Sequence, residues 1–144
     1  MRKKKVVALA AAMLVLLLAG CIADSHDPAD AAEIIQVELP ASAQDTQSDI
    51  ATGRDGTFVN LEFTIPTDTW NQYVAQYPTI TLTQSEASCV ECSYFSREER
   101  SGKPFYYGSD EIQINHNGEQ QTTRKLTVIP DEATGRTWII WSNS

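Results

Sequence analysis

The feature that most constrains the fold lies in residues 57–65, where apolar and polar side chains alternate over the seven residues from 59 to 65. Val59, Leu61, Phe63 and Ile65 lie at every second position, with polar residues between them. Successive side chains of a β-strand point to opposite faces, so this period of two predicts a strand with one buried face. A proline follows at once and ends the strand, because its nitrogen carries no hydrogen for the ladder.

The dipeptide Asn117-Gly118 is typical of a tight turn between two strands. A two-residue turn there would put Ile112 and Leu126 on opposite faces. A three-residue loop that includes the preceding histidine pairs Asn115 with Glu119 and brings the apolar residues of both strands to one face. Because a slip of one residue turns every side chain over to the other face, we predict the three-residue loop, with its glycine left-handed.

The run from Arg136 to Ser142 is apolar on both faces. Trp138 and Ile140 point one way, and Ile139 and Trp141 point the other. This pattern predicts a central strand that is covered on both sides. The alternative is that one tryptophan face is an exposed binding patch.

A short helix is predicted over residues 67–77. Its apolar positions repeat at helical spacing and form one stripe: they are Trp70, Tyr73, Val74 and Tyr77. Other short alternating runs bring the count to about six strands. We therefore predict a mainly β (α+β) domain over residues 56–144, a small antiparallel sheet or sandwich with one short helix packed on it.

The first twenty residues have the layout of a secretory signal. Four of the first five are basic, and the fourteen residues from 6 to 19 carry no polar side chain. A helix needs roughly 20 apolar residues to span a bilayer, so a signal peptide is favoured over a membrane span. Leu18-Ala19-Gly20-Cys21 resembles the lipobox of bacterial lipoproteins. The resemblance implies that residues 1–20 are removed and that lipid on Cys21 anchors the chain at the membrane, facing the periplasm or cell exterior.

Residues 21–55 contain no Lys or Arg before Arg54 and are rich in Ala, Ser, Gln and Asp. Such a composition buries little apolar surface, and it predicts a flexible acidic tether between the lipid and the domain. Within it, residues 33–39 alternate Ile35, Val37 and Leu39 with polar residues. That pattern leaves open an edge strand that docks onto the domain.

The chain is acidic, with a formal net charge of -8, and removal of residues 1–20 leaves seven basic against nineteen acidic residues. An acidic surface argues against nucleic acid as a partner. The simplest interpretation of the charge is solubility. The alternative is electrostatic attraction to a cationic partner.

Cys89 and Cys92 remain once Cys21 carries lipid. An exported compartment permits disulfides, so we predict a structural disulfide between them. The C-x-x-C spacing also suits a thiol redox enzyme, although acidic neighbours oppose a low thiol pKa. With His116 the pair would supply only three of the four ligands of a structural zinc site. We therefore predict no metal and no cofactor.

Residues 94–107 combine five aromatic residues with three basic ones. Aromatic side chains beside arginine are typical of protein interfaces. The predicted binding surface consists of Tyr94, Arg97, Arg100, Tyr107 and, from the last strand, Trp141. The alternative is a solvated charged loop whose aromatic rings face the core.

These features predict a membrane-anchored lipoprotein with a non-catalytic binding or envelope-assembly role, whose partner is an envelope protein or a cell-wall component. One alternative is a thiol redox or metal-dependent enzyme centred on the C-x-x-C motif. The other is an acidic inhibitor of a cationic extracellular enzyme, which rests on charge alone.

Overall fold

The structure is a computed structural model that describes residues 26–85 and 103–144. Its helices are α1 (Pro28–Ile34) and α2 (Trp70–Val74), and a 3₁₀ turn (Thr67–Thr69) leads into α2. Its strands are β1 (Gln44–Gly53), β2 (Gly56–Pro66), β3 (Thr83–Ser85), β4 (Phe105–Asn115), β5 (Glu119–Asp131) and β6 (Arg136–Asn143).

The six described strands form a single sheet in the order β1-β2-β6-β5-β4-β3, and every neighbouring pair is antiparallel. The prediction of a mainly β domain built on a small antiparallel sheet is confirmed. The predicted helix is also confirmed, as the 3₁₀ turn followed by α2 within residues 67–77.

The alternating face of β2 forms the centre of the core. Val59, Leu61, Phe63 and Ile65 are each at most 1% exposed. They face α1, α2 and the buried side chains that follow those helices. We call this side of the sheet the inner face and the opposite side the outer face.

The prediction of a central last strand is confirmed, since β6 lies between β2 and β5. On the inner face Trp141 is fully buried, and on the outer face Ile140 is 7% exposed. Trp141 is therefore not the exposed binding residue that the sequence suggested. Because Trp141 and Ile140 are both buried, these large apolar side chains at the sheet centre are used for packing.

The three-residue loop between β4 and β5 is confirmed, because Asn115 pairs with Glu119. Asn117 and Gly118 both have positive φ, 57° and 119°. The resulting register brings Ile112, Ile114, Thr122, Leu126 and Val128 to the inner face, as the apolar pattern requires.

The prediction of a flexible tether is wrong for residues 28–53, which contain α1, β1 and the loop that joins them. The Asp27 carboxylate caps the first turn of α1, 2.9 Å from the Ala29 nitrogen, and Ala31, Ala32 and Ile35 are buried beneath the helix. Small alanines let a short helix lie close to the sheet, which a count of polar residues does not detect.

The possible edge strand at 33–39 is also wrong, because these residues are the end of α1 and the loop after it. Among the described strands the edge strand is instead β1, whose one partner there is β2. Its side chains are mostly polar, because a strand at the sheet edge has little to pack against and an exposed apolar edge would promote aggregation.

The pairing of β4 with β5 continues across Gly108 without interruption, from Tyr106 to Asn115. The glycine allows residues 80 and 81, which follow α2, to cross close to β4. A Cβ at this position would lie 2.5 Å from the Thr81 carbonyl oxygen and 2.8 Å from Ile80 Cγ2. Backbone contact of this kind leaves no room for a side chain.

We expect Gly108→Ala to lower the free energy of unfolding by about 1–3 kcal/mol, because the new methyl overlaps a backbone oxygen. Gly53→Ala is the matched control, since no atom lies within 4 Å of its added Cβ. Urea denaturation of both variants measures the effect. Equal midpoints for the two would show that Thr81 does not contact β4 this closely.

Candidate binding groove on the outer face

The predicted site residues divide into those that the structure describes and those that it does not. Outside the described residues lie Cys21, Cys89, Cys92, Tyr94, Arg97 and Arg100. The lipidation, the disulfide with its redox and metal alternatives, and most of the predicted binding surface therefore stay predictions.

Tyr107 and Trp141, the two described members of the predicted surface, lie on opposite faces of the sheet. Tyr107 is on the outer face and is 47% exposed. The Trp141 ring packs against Tyr77 with centroids 4.9 Å apart, and its indole nitrogen donates to the Tyr73 hydroxyl at 3.0 Å. The two residues therefore cannot form one surface.

Tyr107 lies in a groove of about 690 Å³ that crosses β3, β4, β5 and β6, which we call the outer-face groove. Most of its lining residues carry hydroxyl groups. These are Thr79, Thr81, Thr83, Ser109, Thr127 and Ser142, in addition to Tyr107 itself. The Phe105 ring stands beside Tyr107, with centroids 5.8 Å apart and planes inclined by 43°.

The register of the sheet arranges these side chains in two rows. In the first row, Thr83 and Thr127 are the partners of Tyr107 on either side. In the second, Ser109 and Ser142 are the partners of Lys125. Directly paired residues of neighbouring strands have Cβ atoms about 4.5–5.5 Å apart, so each central side chain is flanked by two hydroxyls.

Lys125 is the charged residue of the groove. Within the described part of the chain it makes no ion pair, and no acidic residue is among those that line the groove. Two other described cations do form ion pairs: Lys103 with Asp131, and Arg124 with Asp110. The groove is thus locally cationic in a chain whose formal net charge is -8.

A second depression, of about 550 Å³, lies between α1 and the β4–β5 loop and contains Asp30, Glu33 and His116. Its character is acidic, opposite to that of the outer-face groove. Across 26–85 and 103–144, no group of three or more His, Cys, Asp or Glu side chains is placed to hold a metal ion.

Beneath the groove, on the inner face, Arg124 forms a buried ion pair with Asp110, its cross-strand partner. Its guanidinium donates to both carboxylate oxygens, at 3.0 and 2.6 Å, and each side chain is 7% exposed. The Thr79 hydroxyl donates to the same carboxylate at 2.6 Å. This contact ties the chain at one rim of the groove to β4.

Arg124 also binds the end of α1. One guanidinium nitrogen donates to the carbonyls of Ile35 and Gln36, at 3.1 and 2.8 Å. A cation at this position satisfies free carbonyls and opposes the negative end of the helix. The guanidinium also lies 5.3 Å from the Tyr77 ring centroid and 5.4 Å from that of Trp141.

Burial opposes ionisation of Asp110, but hydrogen bonds from Arg124 and Thr79 outweigh it and hold the pKa of this carboxyl below its ordinary value. The ion pair therefore stabilises the fold fully above the unfolded-state pKa, near 3.9, and this contribution is lost as the pH falls through the lower folded-state pKa. Burial, together with the hydrogen-bonded Tyr77 hydroxyl, raises the pKa of the Tyr73 hydroxyl far above the usual range.

No family model, curated protein or solved structure matches this chain. In the described ranges, none of the helices has the length and hydropathy that a membrane span requires. Function must therefore be argued from the site itself.

We expect Arg124→Met to lower the free energy of unfolding at pH 7 by about 3–5 kcal/mol, because Asp110 would be left buried and unpaired. Lys125→Met is the matched control, because Lys125 is the next residue along β5 and its side chain is exposed. This variant should change the free energy of unfolding by no more than about 0.5 kcal/mol. Urea unfolding at several pH values measures both. The loss in Arg124→Met should shrink as the pH falls below about 4, the unfolded-state pKa of an aspartate, and on through the lower folded-state pKa of Asp110; a loss independent of pH would contradict the ion pair.

Proposed function

We propose that this protein is a membrane-anchored extracytoplasmic lipoprotein that binds a partner or ligand without catalysing a reaction. The observation that carries the binding role is the outer-face groove. It presents an aromatic ring that is 47% exposed and an unpaired Lys125 on a rigid sheet. Large exposed apolar side chains in a preformed groove are typical of recognition sites.

The composition of the groove favours binding over catalysis. Its described lining holds hydroxyls, aromatic rings and one lysine, with no histidine or carboxylate. A serine or threonine hydroxyl needs an adjacent base before it can act as a nucleophile. The displaced pKa values of Asp110 and Tyr73 belong to groups packed on the inner face, where they hold the fold together.

The lipid anchor is proposed from Leu18-Ala19-Gly20-Cys21, and the fold then limits how far the domain can stand from the membrane. The described chain begins at His26, whose carbonyl accepts from the Ser48 hydroxyl at 2.7 Å on β1. Five residue steps separate Cys21 from His26, and they span at most about 18 Å. The anchored domain would therefore lie close to the lipid surface, with β1 as the nearest strand.

The groove lies toward the opposite edge of the sheet. From β1 to β4 there are four strand intervals, which amount to about 19 Å at 4.8 Å each. With the short spacer, a ligand in the groove would lie within about 40 Å of the membrane surface. An envelope component near the membrane is the partner that this geometry suits.

We expect Cys21→Ser to release the protein from the membrane fraction and to remove a diacylglyceryl or triacyl increment from its mass, because two or more acyl chains are needed for stable attachment. Cys89→Ser is the matched control and should stay membrane-bound. Cell fractionation and intact-mass spectrometry give both readouts. A mature mass of the unaltered protein without a lipid increment would exclude the anchor.

The binding role is tested by placing a photoreactive benzophenone amino acid at position 107 and, as control, at position 58. Phe58 is also a large exposed apolar side chain, at 40%, but it lies outside the groove. Irradiation of intact cells should give a crosslinked adduct from position 107 and little from position 58. Equal adducts from both, or none from either, would show that the groove has no ligand in the envelope.

A further inference from the structure

We infer that the ligand of the outer-face groove is an acidic saccharide, a chain of sugar rings that carries carboxylate groups. The inference rests on the proposed binding role of this groove and adds the chemical class of the ligand. Three features of the groove carry it: the exposed aromatic pair, the hydroxyl rows and the isolated lysine.

The aromatic pair offers a surface for the apolar side of a sugar ring. Tyr107 is 47% exposed and the neighbouring Phe105 is partly buried, which fixes the pair in place. A pyranose ring has one face of C–H groups that packs against an aromatic ring, while its hydroxyls point outward. Aromatic side chains provide such contact area with little loss of conformational freedom.

The hydroxyl rows match the outward-pointing groups of a sugar. Thr83 and Thr127 flank the aromatic ring, and Ser109 and Ser142 flank the lysine. Each hydroxyl can both donate and accept, as sugar hydroxyls do. The strand spacing of about 4.8 Å repeats these groups at intervals comparable to one sugar ring.

Charge selects an anionic ligand. Lys125 stands in a groove whose described lining has no carboxylate, although the whole chain carries a formal net charge of -8. The nearest acidic residue along the outer face of β4 is Glu111, which accepts a hydrogen bond from Thr123 at 2.6 Å outside the groove. A carboxylate bound at Lys125 would thus meet a cation with no competing anion among the described residues of the groove.

The sheet edge argues against an extended peptide as the ligand. Peptides that bind sheets commonly pair with a free strand edge through backbone hydrogen bonds. Beside the groove, the edge of β4 is already occupied, because β3 pairs with Phe105, Tyr106 and Tyr107. Recognition in this groove therefore depends on side chains, as sugar recognition does.

The test is isothermal titration of the full-length lipoprotein in detergent with three probes: hexagalacturonate, its fully methyl-esterified form, and a hexaglutamate peptide. The ester keeps the sugar and removes its charge, and the peptide keeps the charge and removes the sugar. We expect hexagalacturonate to bind about tenfold more tightly than either, as one charge-assisted hydrogen bond allows.

Two variants assign the contacts. Lys125→Gln should weaken hexagalacturonate about tenfold and leave the ester unchanged, whereas Tyr107→Ala should weaken both sugars. Phe58→Ala is the control and should change neither. Unfolding midpoints equal to that of the unaltered protein, expected for these exposed positions, separate lost binding from lost folding.

Equal affinity for the acid and the ester, unaltered by Lys125→Gln, would overturn the anionic character of the ligand. Stronger binding of hexaglutamate would replace the saccharide with an acidic peptide. Binding of none of the three probes would overturn the inference, while photocrosslinking at position 107 would still decide whether the groove is a binding site.

Discussion

The ion pair between Arg124 and Asp110 is the interaction on which the described fold depends most. A buried charge is costly unless it is paired and its other hydrogen-bonding groups are satisfied. Arg124 meets this condition with contacts from four parts of the chain: the carboxylate of β4, the carbonyls that end α1, the Tyr77 ring after α2, and the Trp141 ring of β6. Since α1 has no basic residue in its own last turn, this cation from β5 completes its C-terminal end and joins the helix to the sheet.

The ion pair and the candidate site are linked through the alternation of β5. Arg124 and Leu126 point to the inner face, while Lys125 and Thr127 point to the outer face. The register that pairs Arg124 with Asp110 therefore also sets Lys125 beside Ser109 and Thr127 beside Tyr107. A shift of one residue would move both cations to the wrong side. In this way buried contacts on the inner face determine the spacing of the groups that a ligand would meet on the outer face.

The alternation of apolar and polar residues along the sequence predicted the strands of the sheet and part of their register. The alternation in β2, the apolar last strand and the β4–β5 register were each predictable, because they depend on side-chain period and on turn geometry. The predicted register also pairs Asp110 with Arg124 at positions that face the core, a signal of a buried ion pair that composition alone does not give. The candidate site was predictable only at Tyr107. Lys125 and the flanking hydroxyls lie on strands that are separated along the chain, and their proximity follows from the strand order.

By itself, the sequence determined the strand periods, the β4–β5 loop and the central position of β6, because these depend on residues close together in the chain. Only the tertiary structure decided whether residues 28–53 fold onto the sheet and whether Trp141 is buried. Residues 28–53 are polar enough to suggest a tether, yet the few apolar side chains of α1 lie on one side and are buried against β1 and β2. Trp141 could equally have faced solvent, and it is buried because α2 brings Tyr73 and Tyr77 against it. Burial depends on contacts between distant segments, and no local pattern contains them.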